Sequence, residues 1–521
     1  MSLLNRRALA PVLMAFAAVS ACKQQTLETD PPAAATTTTS STISTPAPTI
    51  APTVPPTPEP TPEPVPEPTP EPAPTPEPTP APDPTPDPKP APKPSGALIT
   101  IDPLKTFQTI EGWQATMNSS YGTDIDWSIN DRRWVPYRNE IITSLIDQVG
   151  LSSVRLELRS GAENPVDYWT KFVNGAISQS QMSAHWYEKI NDNSNPNSAN
   201  PAGFQWSEID YRVDNLIMPM RTAMAARGRT LDVTMTYVDF TKTYAGSLSH
   251  GKNANEYAEL ISEAFKHLNS KYGFTPNKLE IILEPDLTTD WRAADVGNAI
   301  LAVKARLAAN GFRPKIIGPT TSKARLAKTY TDTMFAMPGV RAATDIVSYH
   351  SYDKPTNATR NEVRNIGKPT AMLEHIGADI NEFYADLTEA NVSAWQQYGA
   401  NGLLTVDLSK PVGRAVTLSS KTRPLSEIWR HVLPGAVRID ATSADAAMKP
   451  IAFKGPGGAL VVSVIASKAG DLTIDGLTPG TYSVEYTTGG VLAQSPGNVT
   501  VGGDGRAVVY IPAAGVITVS H

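Results

Sequence analysis

The chain has 521 residues, of which 18% are charged, and a formal net charge of −6 at pH 7. This mild acidity, with no basic patch, argues against nucleic acid as a partner. One cysteine and seven histidines without an HExxH pattern exclude a cysteine-rich zinc site. No metal or cofactor constellation stands out, a carboxylate-bound calcium stays open, and nothing signals oligomerisation, so a monomer is the default.

In chain order, Arg6 and Arg7 precede an apolar run from Ala8 to Val19, followed by Ser20, Ala21 and the only cysteine, Cys22. A basic start, a short apolar run and a small-residue cleavage site make an export signal that is too short to span a membrane as a helix. The ending resembles a bacterial lipobox, which implies cleavage before Cys22 and lipid attachment to it; a plain signal peptide cut near Ala21 is the alternative. Lys23 stands where an aspartate-like residue would retain the protein in the inner membrane, which favours the outer membrane or cell surface. Membrane contact is then through the lipid anchor only. Residues 23–95 are Thr/Ser-rich and then Thr-Pro-Glu-Pro-rich. They predict a core-less stalk in polyproline II, extended at about 3.1 Å per residue.

The folded part opens on the alternating strand Ala97–Ile101, and Phe107 to Trp113 follows. From there strands and helices alternate. Helical patterns cover Asn139 to Val149, Arg212 to Arg227, Asn255 to Leu268 and Ala294 to Ala309. The later strands are predicted at Ser153–Leu158, Leu231–Val238, Leu279–Glu284, Lys315–Gly318, Asp345–His350, Pro369–Glu374 and Gly402–Asp407, the last as the eighth. Eight strands in alternation with helices predict an α/β fold, a (β/α)8 TIM barrel, over 96–433. After the helix Pro424 to Val432 only short strands and Gly/Pro turns remain, which predicts a C-terminal β-sandwich over 434–521. The strand within 96–106 is expected to join it.

Two strands end alike. Leu279-Glu280-Ile281-Ile282-Leu283-Glu284 stops at Pro285, and Ala371-Met372-Leu373-Glu374 runs to Gly377. Both deliver a glutamate to the C-terminal rim, where barrel chemistry sits. Two rim carboxylates on separate strands suit a retaining glycosidase, one protonating the leaving oxygen and the other attacking the sugar carbon. Each alone reads as an ordinary strand-end carboxylate; the pair favours catalysis on a poly- or oligosaccharide.

At these residues the chain resembles clan A of the glycoside hydrolases, closest to families 30 and 39, which join such a barrel to a small β-sandwich. FQTIEGW at Phe107–Trp113 and SEIWRHVLPGAVRI at Ser426–Ile439 are similar to family 30 segments. The resemblance spans about Ile99 to His521. It implies that Glu284 is the acid/base and Glu374 the nucleophile, that Arg155 steadies the nucleophile, and that His350 and Tyr352 bond nucleophile and sugar. Trp113 and Trp291, just past strand ends, either stack on sugar faces or belong to the core. Leu283 departs from the family: an asparagine that bonds the sugar 2-hydroxyl usually stands there. With that bond missing, a non-catalytic glycan-binding surface lipoprotein is the rival reading.

Overall fold

The structure, a computed structural model, describes residues 96–117, 132–240 and 248–521. The export signal, Cys22 and the stalk lie outside the described residues. Among the described residues no helix is long and apolar enough to cross a membrane.

The first strand, β1 (Ala97–Thr109), belongs to a β-rich domain whose other strands come from the far end of the chain. Two residues later the chain enters the barrel. Its eight parallel strands are β2 (Gly112–Thr116), β3 (Ser153–Arg159), β4 (Asp232–Val238), β5 (Lys278–Glu280), β6 (Lys315–Ile317), β7 (Val347–His350), β8 (Thr370–Glu374) and β9 (Val392–Gly399). They pair in the order β6-β5-β4-β3-β2-β9-β8-β7. Bridges from Ile317 to Ile346 and from Thr321 to Tyr349 draw β6 towards β7, so the barrel is nearly closed. Parallel strands covered by helices are buried on both faces, and β3 and β8 are buried at every residue.

Outward-facing apolar residues pack under helices such as Ala254–Tyr272 and Ala293–Ala309. The barrel interior is unusually polar. Gln114 donates to the hydroxyls of Ser153 (3.0 Å) and Thr234 (2.9 Å), and Gln396 donates to Thr116 (2.7 Å). These pairs satisfy groups that would be costly to bury alone.

The sequence reading is corrected at the eighth strand. Leu404–Val406 (β10) forms a small hairpin with Val416–Leu418 (β11), and β9 closes the barrel instead. The segment Val392–Gly399 hides its strand character because interior glutamines replace the expected apolar residues. The run Phe107–Trp113 is likewise split between β1 and β2. Two helices begin earlier than their apolar periodicity suggested, at Arg138 and Ser207, and each contains a π-helical turn, Ser144–Val149 and Val213–Ile217.

Beyond the helix Thr422–Trp429 come β12 (Val437–Ser443), β13 (Met448–Lys454), β14 (Leu460–Ala466), β15 (Gly470–Asp475), β16 (Gly480–Thr488), β17 (Gln494–Val501), β18 (Arg506–Ile511) and β19 (Gly515–Ser520). With β1 they form one nine-stranded sheet, in the order β17-β16-β19-β14-β13-β12-β1-β15-β18. The end strands β17 and β18 return against each other around a second core that includes Ile99, Ile439, Val462, Leu472, Tyr482 and Val519.

Candidate active site

At the C-terminal rim, Glu284 follows β5 and Glu374 ends β8. Three backbone bonds carry the chain beyond β5: Ile281 N–H to Ile317 O (3.1 Å), Leu283 N–H to Tyr237 O (2.9 Å) and Glu284 N–H to Thr320 O (3.1 Å). Glu284 is held at φ 50°, ψ 59°. A left-handed glutamate just before proline is doubly disfavoured, since proline also restricts the residue before it. Such strain persists only where the surroundings enforce it, and it clusters at functional sites.

One carboxylate oxygen of Glu284, one of Glu374 and a ring nitrogen of His350 all lie within 4.8 Å of one another. His350 Nδ1 lies 2.7 Å from Glu284 Oε1, and Tyr352 donates to Glu374 Oε1 at 2.8 Å. The other Glu374 oxygen pairs with the Arg155 guanidinium from β3. Arg155 Nε donates to Thr116 at 2.9 Å, and Nη1 lies 3.7 Å from Glu280 Oε2. Glu284, Glu374, Arg155, His350 and Tyr352 thus form one cluster.

Burial, with the nearby Asp286 carboxylate adding to it, pushes the Glu284 carboxyl up to about 7, against the opposing charges of Arg155 and Lys323. Burial also lowers His350 from its ordinary value despite the Glu374 charge, so its ring is neutral at pH 7. Burial, then the Glu374 charge and hydrogen bond, raise Tyr352, which keeps its phenolic proton to donate. Burial alone would lower Arg155; Glu280 and Glu374 outweigh it and hold the guanidinium above its ordinary value.

Trp113 and Trp291 are corrections. Neither has any exposed surface. Trp113 donates to Val432 O (2.8 Å) and stacks on Trp429 under the helices, and Trp291 donates to Asp239 (3.1 Å) between Tyr237 and Tyr257. Both rings are core residues with no face for a sugar. Sequence reasoning missed Thr116, Glu280 and Asp286. Asp286 accepts from Ser322 N–H (2.7 Å) and its hydroxyl (2.5 Å), which anchors the turn after Glu284.

The trio Glu284, His350 and Glu374 is close enough to share a cation. The Arg155 guanidinium already supplies positive charge there. A second such group, Glu427, His431 and Glu485, surrounds Arg430, whose guanidinium pairs with both glutamates.

Solved structures of similar shape exist. The catalytic domain of a family 30 xylanase C from Talaromyces cellulolyticus matches at TM-score 0.57 and 16% identity, over 81% of this chain and 99% of that one. The chain has the glycoside hydrolase family 30 fold. A family 30 subfamily 8 xylanase from Clostridium acetobutylicum matches at TM-score 0.56 and 18% identity, over 81% and 98% of the two chains. An endo-β-1,6-glucanase matches at 0.57 and 13%, over 83% and 94%. No sequence model of a protein family matches, and no curated protein sequence does either.

Proposed function

We propose that the protein is a retaining glycoside hydrolase acting on a poly- or oligosaccharide. The observation that carries this reading is the approach of the Glu284 and Glu374 carboxylates to within 4.8 Å. Retaining enzymes hold their carboxyls ~5–5.5 Å apart, whereas inverting ones leave ~6.5–9.5 Å for a water. Glu374, oriented by Arg155 and Tyr352, attacks the anomeric carbon. Glu284, protonated below about pH 7, donates its proton to the departing glycosidic oxygen, and its carboxylate then takes a proton from the water that releases the sugar. Neutral His350, with its hydrogen on Nδ1, donates to Glu284 Oε1 and leaves Oε2 to carry the acid proton.

Leu283 cannot bond a sugar 2-hydroxyl, an interaction that supplies several kcal/mol in such transition states. Either another residue contacts the carbon-2 hydroxyl, or the substrate carries an unusual group at carbon 2, or the activity is reduced. The similarity to xylanases and a β-1,6-glucanase puts xylan and β-1,6-glucan first on a substrate panel. Glu374→Ala abolishes turnover, and azide restores it in that variant with formation of a glycosyl azide of inverted configuration. Binding of glycans by the native protein without turnover on any panel member would instead establish the non-catalytic reading. We also propose export and lipid anchoring at Cys22: Cys22→Ala moves the protein from the membrane fraction to the soluble one, and an unchanged distribution refutes the anchor.

A further inference from the structure

The third acidic group lies away from the two catalytic candidates. Glu163 and Asp192 come from the long connection after β3, and Glu256 from the first turn of the helix Ala254–Tyr272. One carboxylate oxygen from each lies within 4.8 Å of the others. Glu163 is 1% exposed and Glu256 8%. Each of the three keeps one oxygen sealed from solvent with no hydrogen-bond donor: Glu163 Oε1, Asp192 Oδ1 and Glu256 Oε2.

The remaining oxygens are occupied. Glu163 Oε2 faces His250 Nε2 at 2.7 Å, and Asn191 Nδ2 reaches Glu256 Oε1 at 3.4 Å. Asp192 Oδ2 accepts from Asn193 Nδ2 (2.7 Å) and from the Asn200 N–H. Among the described residues no lysine or arginine pairs with any of the three; Arg306 nearby is taken by Glu259 and by the Pro196 carbonyl. Burial and the neighbouring carboxylates push Glu256 upward, and Glu259, beside them, rises to about 7.

Three carboxylates from separate parts of the chain thus meet in one place, each keeps a sealed oxygen without a donor, and His250 is the one basic side chain bonded to them among the described residues. Buried carboxylates so gathered are costly unless a cation neutralises them. We propose that Glu163, Asp192 and Glu256 bind a calcium ion that fastens the long connection after β3 to the helix after β4. Hard oxygen donors select calcium or magnesium over softer metals. Calcium holds its ligands at about 2.3–2.6 Å in adaptable geometry, so oxygens on opposite sides of it stand about 4.6–5.2 Å apart. Magnesium demands about 2.0–2.1 Å and strict octahedral order. Donors drawn from an irregular connection suit calcium's adaptable geometry better than magnesium's strict octahedral order. Backbone carbonyls and waters supply its remaining ligands.

The connection is built to be fastened. Ile190 N–H bonds the Glu163 carbonyl (2.9 Å), so the strand of chain leading to Asp192 already runs beside Glu163. His250 passes the contact inward through Tyr237, 2.6 Å from its Nδ1, to β4.

The test uses the full chain stripped with EGTA, titrated calorimetrically with calcium chloride while melting is followed. One calcium binds per chain, and at a hundredfold excess over Kd the melting temperature rises by about 3–6 °C. The double variant Asp192→Asn/Glu256→Gln loses both responses, and its melting temperature in EGTA equals or exceeds that of the parent because repulsion is relieved. No heat and no melting shift in the parent would overturn the site, as would an undiminished response in the double variant or an equal response to magnesium. Should the double variant not fold, limited proteolysis of the parent decides: calcium slows cleavage within 187–203, and a cleavage rate indifferent to calcium overturns the site.

Discussion

Asp286 stands two residues beyond Glu284, and its charge is the largest contribution after burial to the raised Glu284 carboxyl. The sign of its effect is fixed. A negative neighbour disfavours the carboxylate of Glu284, so the acid form persists to about pH 7, and activity that requires this proton falls as pH rises through that value. Asp286→Asn removes the charge while keeping an acceptor for the Ser322 N–H. The alkaline limb of kcat/KM then moves to lower pH by up to about one unit, equivalent to ~1.4 kcal/mol; a limb that stays in place refutes the assignment of that limb to Glu284. Residues of this site were legible unevenly. Glu284 and Glu374 stood out because each ends an apolar run, whereas His350 and Tyr352 were pointed to only by the resemblance to clan A, and Tyr352 lies beyond the end of β7. Thr116, Glu280 and Gln396 gave no signal, since a buried polar residue inside a barrel is written with the same letters as an exposed one. Trp113 misled for a related reason: its place in the chain is near the barrel, but its ring points outward to Trp429.

At the level of elements, periodicity located what is apolar and missed what is polar. The helix Ala254–Tyr272 was recognisable from its stripe, and Gly273 at φ 67° ends it where a side chain would be strained. The closing strand β9 was not recognisable, because Gln396 and Gln397 are buried there, with Gln396 bonded to Thr116 and Gln397 to the Ala378 carbonyl. The neighbouring run Leu403 to Val406 looked more like a strand of the barrel yet leaves Thr405 exposed. The strand ending in Glu284 was read as longer than its regular part. Regular pairing stops at Glu280, and the next residues alternate their bonds between β4, the bend after β6 and β6 itself. That irregular path is what lets Glu284 take its left-handed backbone and turn its carboxyl towards His350.

At the scale of the whole molecule, the barrel and the β-rich domain share one interior. The cluster that contains Trp113, Phe383 and Trp429 also includes Ile451, Phe453, Val461, Ile465 and Val516 from the C-terminal strands. Glu427 from the last barrel helix accepts from Thr487 (2.6 Å) and pairs with Arg430, which also holds Glu485. The entry into the barrel is tied to the C-terminal strands as well: β1 lies between β12 and β15, and Ile110 N–H bonds the Ala436 carbonyl (2.8 Å) where the barrel begins. A fragment ending at residue 433 would strip partners from β1 and expose the face under Trp429. Each large apolar side chain buried there stabilises by about 1.5–3 kcal/mol, so the loss is comparable with the ~5–15 kcal/mol net stability of a typical fold. The fragment 96–433 is therefore expected to be insoluble or without a cooperative transition, and calorimetry of the full chain should show a single unfolding peak. Two resolved peaks, or a soluble fragment that melts cooperatively, would mean that the shared interior does not couple the two parts.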